Sequence, residues 1–358
     1  YRALLDAADR AGISVIIDFH QDVFQAAFCG DGFPVWALRD IPHGPPRYDC
    51  GALQWSPPYF DPRSVVSRAF DGLWDNQDGL LDSFVAMWTK VAREFGKHPA
   101  VAAFEVINEP GSGSRTPDVF GATILPAVYD RVAAAIEAEV GPTAVLCDDP
   151  IVPINDVARL ARPEHARFAY GPHFYDVLST IGAPVDPARL SADVAAIIDR
   201  GETYGAPVVI GEYGVTNTHP MKVDFMSAVL DTADSRRASA MAWDGSISTM
   251  KWNDEDFSVF TSDGTERGWG AVLDRPVPRA IDGTILDWQW DAAAKTFSLS
   301  VEGQEDHVSE IYLPSRHLGA SPKITVTGAR HRFVSETGIV LVAPERGASW
   351  SLTAEPGN

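Results

Sequence analysis

The chain has 358 residues, 45% hydrophobic and 22% charged, a composition that excludes disorder and allows one large domain plus a small one. Its formal net charge of -20 argues against nucleic acid or an anionic membrane as a partner. No run of eighteen apolar residues occurs, so no membrane span is expected.

The first residues, Tyr1-Arg2-Ala3-Leu4-Leu5-Asp6, open directly into a helix-like pattern without an initiator Met or a signal peptide. The chain is therefore expected to begin inside a domain, and it carries no direct information about targeting. From there, apolar runs of strand length alternate with amphipathic helical patterns. The runs are residues 13–20, 101–109, 144–149, 168–175, 207–214 and 238–245. Such runs suit strands covered on both faces, hence parallel ones. Helical segments fall at 80–95, 125–140, 191–204 and 223–235. The alternation predicts an α/β protein.

Polar residues gather at the C-terminal ends of these strands: His20, Asp22, Asn108, Glu109, Asp148, His173, Tyr175, Glu212 and Trp243. A (β/α)8 TIM barrel assembles its site in this way. The expected fold is such a barrel over residues 1–281, N-terminally truncated, with about six of the eight strands present. An open doubly wound sheet fits less well, because no glycine-rich phosphate turn follows the first run. From residue 282 to 358, short alternating runs separated by turns predict a small antiparallel β-sandwich.

Two long loops, residues 24–76 and 245–270, carry many aromatics, among them Trp36, Trp55, Trp74, Trp252 and Phe257. They suit either a substrate with an apolar part or small cores of the loops' own. Cys29 and Cys50 bracket a Gly- and Pro-rich stretch, so a disulfide there is plausible in an oxidising compartment. Cys147 lies in an apolar run and reads as a buried free thiol. No Cys/His cluster has zinc spacing, and no metal or cofactor is implied.

The chemistry concentrates in Asn108-Glu109-Pro110 and Gly211-Glu212-Tyr213-Gly214. Each puts one glutamate at the end of an apolar, β-branched run. A glycosidase needs two such carboxylates, one to protonate the leaving oxygen and one to attack or to activate water. Pro110 ends its strand and leaves Glu109 at the rim. The Asn108 amide can bond a sugar hydroxyl next to the reacting carbon. Gly211 and Gly214 allow close approach around Glu212. Tyr213 and Tyr175 are equal candidates to hold its carboxylate. On a barrel the two glutamates face each other across the mouth; sequence spacing leaves retention and inversion both open.

His20 and Asp22 can bond sugar hydroxyls, or serve as a core histidine and a cap. His173 and Tyr175 have period two and share a face. Trp243 can stack on a pyranose or fill core.

These residues resemble glycoside hydrolase family 5, a retaining clan of (β/α)8 barrels, over residues 1–280. Within it, Asp18-Phe19-His20-Gln21-Asp22-Val23-Phe24, Cys29-Gly30-Asp31-Gly32-Phe33-Pro34-Val35-Trp36-Ala37 and Arg68-Ala69-Phe70-Asp71-Gly72-Leu73-Trp74 look like the endoglycoceramidases. Those enzymes release whole glycans from glycosphingolipids and carry a C-terminal β-sandwich. The resemblance implies Glu109 as acid/base, Glu212 as nucleophile and Asn108 on the 2-hydroxyl. It also implies His20, Asp22, His173, Tyr175 and Trp243 in the sugar subsite. The expected partner is a glycolipid in micelles or at a membrane surface, with no stable protein partner, and secretion is expected.

His173-Phe174-Tyr175-Asp176-Val177-Leu178 and Trp252-Asn253-Asp254-Glu255-Asp256-Phe257-Ser258-Val259-Phe260 look instead like the glucosylceramidases and steryl-β-glucosidases of the same family, which remove a single glucose from a lipid. A polysaccharide endoglucanase and a non-catalytic carbohydrate- or lipid-binding protein are the further alternatives. The family's arginine on the second barrel strand has no counterpart here. An open barrel with exposed strand edges is expected to be unstable or inactive.

Overall fold

A computed structural model describes residues 1–51, 54–152, 160–247, 252–304, 307–345 and 347–357. Contacts divide the chain into two compact units, residues 1–229 with 238–258 and residues 230–237 with 259–358.

In the first unit the apolar runs become parallel strands: β1 (Val15–Asp18), β2 (Val101–Glu105), β3 (Ala144–Cys147), β4 (Phe168–Tyr170), β5 (His173–Phe174), β6 (Val209–Tyr213) and β7 (Ser239–Ala242). They pair in sequence order, as β1-β2-β3-β4 and β5-β6-β7. The expected strand over 168–175 is split at Gly171-Pro172. Proline has no N–H to give to a ladder. The backbone there changes partner: Gly171 N–H donates to Cys147 at 3.0 Å, and Pro172 accepts from Gly211 N–H at 2.9 Å. A parallel bridge between Tyr170 and Val208 carries the pairing across the break. The wall is thus that of a (β/α)8 barrel, with six strand positions among the described residues.

The helices pack an apolar stripe against this wall. Leu80–Phe95 buries Leu80, Phe84, Trp88 and Ala92, four residues apart, and the Trp88 indole donates to Val106 O at 3.0 Å. Leu125–Val140 buries Leu125, Val128, Tyr129, Val132 and Ile136. The longer helical run Pro117–Val140 is apolar enough to match a membrane span by length and composition. Its apolar face, however, is buried against the rest of the unit, as in a core helix. Pro187–Tyr204 is capped by Asp186, whose carboxylate accepts from two backbone N–H groups.

The second unit holds two four-stranded antiparallel sheets: β8 (Val277–Ala280), β9 (Thr284–Asp291), β10 (Thr296–Glu302), β11 (Ser309–Tyr312), β12 (Lys323–Thr327), β13 (Ala329–Val334), β14 (Ile339–Pro344) and β15 (Ser349–Glu355). Their orders are β12-β15-β10-β9 and β13-β14-β11-β8. Alternate residues Phe297, Leu299 and Val301 of β10 meet Trp350, Leu352 and Ala354 of β15 and Ile311, Val340 and Val342 of the other sheet in one core. The β-sandwich is as expected, and β8 already belongs to it.

Candidate active site

The site lies at the C-terminal ends of the barrel strands, around a cavity of about 740 Å³. The chain leaves β2 at Glu105, earlier than the apolar run suggests. Glu109 therefore sits beyond the strand with φ +39°. A non-glycine residue holds that conformation only when its surroundings impose it. Gln21, fully buried, does so. Its Nε2 donates to Asn108 O at 2.7 Å and Glu109 O at 2.9 Å, while Asn108 Nδ2 donates back to Gln21 O at 3.0 Å. Trp74 fixes the next turn by donating to Gly111 O at 2.8 Å.

Glu212 projects from β6. Its Oε2 accepts from the Tyr175 hydroxyl at 2.9 Å. Of the two tyrosines that could fill this role, it is Tyr175 that does; Tyr213 is turned into the core. His173 stands between the glutamates. Its Nδ1 lies 3.1 Å from Glu109 Oε1 and 3.6 Å from Glu212 Oε2. These three donor atoms all lie within 4.8 Å of one another. Gly211 makes room for the ring, since a Cβ there would come 3.0 Å from His173 Nε2. The close approach at Gly214 is likewise to protein, 2.8 Å from the Trp243 carbonyl.

His20 bridges Asp18 through Nδ1 at 3.1 Å and Asp22 through Nε2 at 3.2 Å. Its ring stacks on Trp243, with centroids 5.2 Å apart and planes within 4°. Asn108, Asp22, His20, Glu109, His173, Tyr175, Glu212 and Trp243 all line the one cavity. The structure therefore brings these eight residues together. A second group of metal-type donors, His20, Asp22 and Asp31, lies within the same reach of one another.

The electrostatics follow from many carboxylates and few cations. Burial pushes Glu212 up to about 7, aided by the nearby Glu109 carboxylate and opposed by His173 and His20. Burial likewise lifts Asp18 to about 6. Burial works against charge on the imidazoles too, but their carboxylate neighbours win. His20 rises to about 12 between Asp18 and Asp22, and His173 is held well above its ordinary value by Asp148, Glu212, Glu105 and Glu109. Both rings are thus held toward their protonated forms beside Glu212.

Residues 1–248 match the family described as "Cellulase (glycosyl hydrolase family 5)", and residues 275–353 its C-terminal domain. The chain belongs to glycoside hydrolase family 5. Among relatives, it is 34% identical over 131 residues to an endoglycoceramidase of Hydra vulgaris, covering 32% of this chain and 25% of that protein. The match thus spans about a quarter of the relative's length. Endo-glycoceramidase II from Rhodococcus sp., solved as a five-membered iminocyclitol complex, superposes with TM-score 0.83 at 25% identity, over 100% of this chain and 83% of that one. Sterylglucosidase 1 of Cryptococcus neoformans shares the fold, with TM-score 0.75 at 14% identity, over 99% of this chain and 83% of that one.

Reading the sequence missed the clamp by Gln21 and the place of Glu255 in the lining of the same cavity. The string around Glu255 did stand out, but as a family likeness only. It also missed Asn253, which is fully buried and donates to Cys29 O at 2.7 Å while accepting from Cys50 N–H at 2.9 Å. Cys29 and Cys50 form the disulfide, and Cys147 is a buried free thiol.

Proposed function

We propose that the protein is a retaining β-glycosidase that cleaves the bond between glycan and ceramide in glycosphingolipids. The observation that carries the mechanism is the closeness of the Glu109 and Glu212 oxygens, within 4.8 Å and joined through His173. Retaining enzymes hold their carboxyl groups about 5 Å apart; inverting ones leave about 6.5 Å or more for a water.

Glu212 attacks the anomeric carbon as its carboxylate, steadied by the Tyr175 hydroxyl and the two imidazolium rings. Glu109 passes its proton to the departing ceramide oxygen. In the second half Glu109 takes a proton from water, which opens the glycosyl–Glu212 ester with a second inversion. The likeness to proteins named endoglycoceramidase supports the ceramide aglycone and the intact glycan. A substrate dispersed in micelles or at a membrane surface goes with that aglycone.

Detergent-dispersed lactosylceramide tests the reading. Lactose and ceramide are the expected products, with the β-anomer formed first. Galactose or glucose as the first free sugar, or an initial α-anomer, would overturn it, as would a preference for soluble β-glucan. The Cys29–Cys50 disulfide supports secretion into an oxidising compartment. Fractionation of the source culture should find the protein outside the cytoplasm; a cytoplasmic pool alone would contradict this.

A further inference from the structure

One ionisable group of the cavity has no part in the double displacement. Glu255 lies on the loop after β7, beside Trp252, and lines the same cavity as Glu109 and Glu212. Among the described residues it is held by indoles. Trp55 Nε1 donates to its Oε1 at 3.1 Å, and the Trp243 side chain hydrogen-bonds it as well. The Trp55 and Trp252 rings meet 4.9 Å apart and wall this end of the cavity. Its charged neighbours are like charges, Asp22 and Glu109.

A carboxylate offers about four lone-pair positions, and two donors occupy only part of them. A carboxylate aimed into a cavity, whose partners among the described residues are indole N–H groups, suits the hydroxyls of a sugar. We propose that Glu255 binds a hydroxyl of the pyranose attacked by Glu212, and that it biases this subsite toward neutral sugars. This deepens the glycosidase reading and rests on it.

Geometry supplies the argument. Trp243 connects the two functions: one indole stacks on His20 and hydrogen-bonds Glu255. A ring lying between Trp243 and the glutamates therefore presents its hydroxyl edge to Glu255. Burial, and then the Asp22 charge, also push Glu255 up to about 8, so the carboxyl in the empty cavity holds a proton it can donate to a sugar oxygen. An anionic group placed on Glu255 would add a second negative charge beside Asp22 and Glu109, so a neutral hydroxyl is favoured there.

Wild type, Glu255→Ala and Glu255→Gln are compared on an aryl β-lactoside and its forms deoxygenated at C3 or C6 of the glucose ring. Glu255→Ala should lower kcat/KM about 10²-fold on the parent and less than about threefold on the one deoxy sugar that lacks the bonded hydroxyl. Glu255→Gln, which keeps an acceptor and the packing, should recover part of the loss. Equal losses of Glu255→Ala on all three substrates would overturn the proposal and leave Glu255 as a strut for the indoles. If wild type cleaves none of them, the glycosidase reading itself fails. The same cycle is then read as tryptophan-fluorescence titration of a glucose-configured lactam and its deoxy forms. Coupling in binding supports Glu255 as a sugar ligand, and its absence overturns that.

Discussion

Glu212→Gln should abolish turnover and, at the same time, stabilise the fold in a pH-dependent way. Burial raises the Glu212 carboxyl from 4.5 to about 7. Between those values the folded protein keeps a proton that the unfolded chain has released, so stability falls as pH climbs through the window. At about 1.4 kcal/mol per pK unit, the burden on the folded state is on the order of 1 kcal/mol at pH 5 and 3 kcal/mol at pH 8. The amide carries no charge to desolvate and still accepts from Tyr175. Thermal melts of the two proteins from pH 5 to 8 should show the variant ahead by a gap that widens with pH, reaching several degrees. A gap that stays constant, or a variant less stable at pH 8, would refute the electrostatic account. Loss of turnover should be about 10⁴-fold or more; a variant that still hydrolyses glycolipid would remove Glu212 from the nucleophile position.

Glu109→Gln should cost about 10²- to 10⁴-fold in kcat/KM on a glycolipid but far less on a dinitrophenyl glycoside, whose leaving group needs no proton. Equal losses on both substrates would contradict an acid role. Gln21→Ala strips the donor from two carbonyls and frees the strained Glu109 backbone; about 3 kcal/mol in urea denaturation and a clear fall in kcat are expected. Unchanged kcat would show that the clamp is not needed. The Cys29–Cys50 bond closes a loop with a sequence separation of 21, worth about 3 kcal/mol. Melts with and without reductant measure it, and coincident melts would sink the estimate.

The barrel was legible because its strands are apolar on both faces and its helices are not. Helices 80–95 and 125–140 coincide with Leu80–Phe95 and Leu125–Val140, where spacing and burial agree. Legibility failed where the signal is not periodic. The helix Val65–Trp74, capped by Ser64, lies inside what reads as one long aromatic loop. Strand β13 is Ala-Arg-His-Arg-Phe-Val, half of it exposed, and has no apolar alternation to betray it. The two glutamates could be read because a charge ending an apolar strand demands a reason. Gln21 could not, since a neutral amide whose clamp on Asn108 and Glu109 reaches across 87 and 88 positions leaves no trace in its own neighbourhood. Glu255 is intermediate: its neighbours in sequence are polar, and only the fold turns it toward Trp55 and Trp243.

Asn253 makes sugar recognition answerable to redox chemistry. One amide spans both half-cystines, and the backbone that carries it continues within two residues to Glu255. Glu212 hangs from β6 and Glu109 from the Gln21 clamp, whereas the Asn253 amide reaches the backbone of Cys29 and Cys50. Opening the disulfide therefore loosens the wall that grips the sugar before it disturbs the groups that break the bond. Reductant should raise KM at concentrations where kcat still holds, and a pocket of full affinity is completed only after the chain has been oxidised.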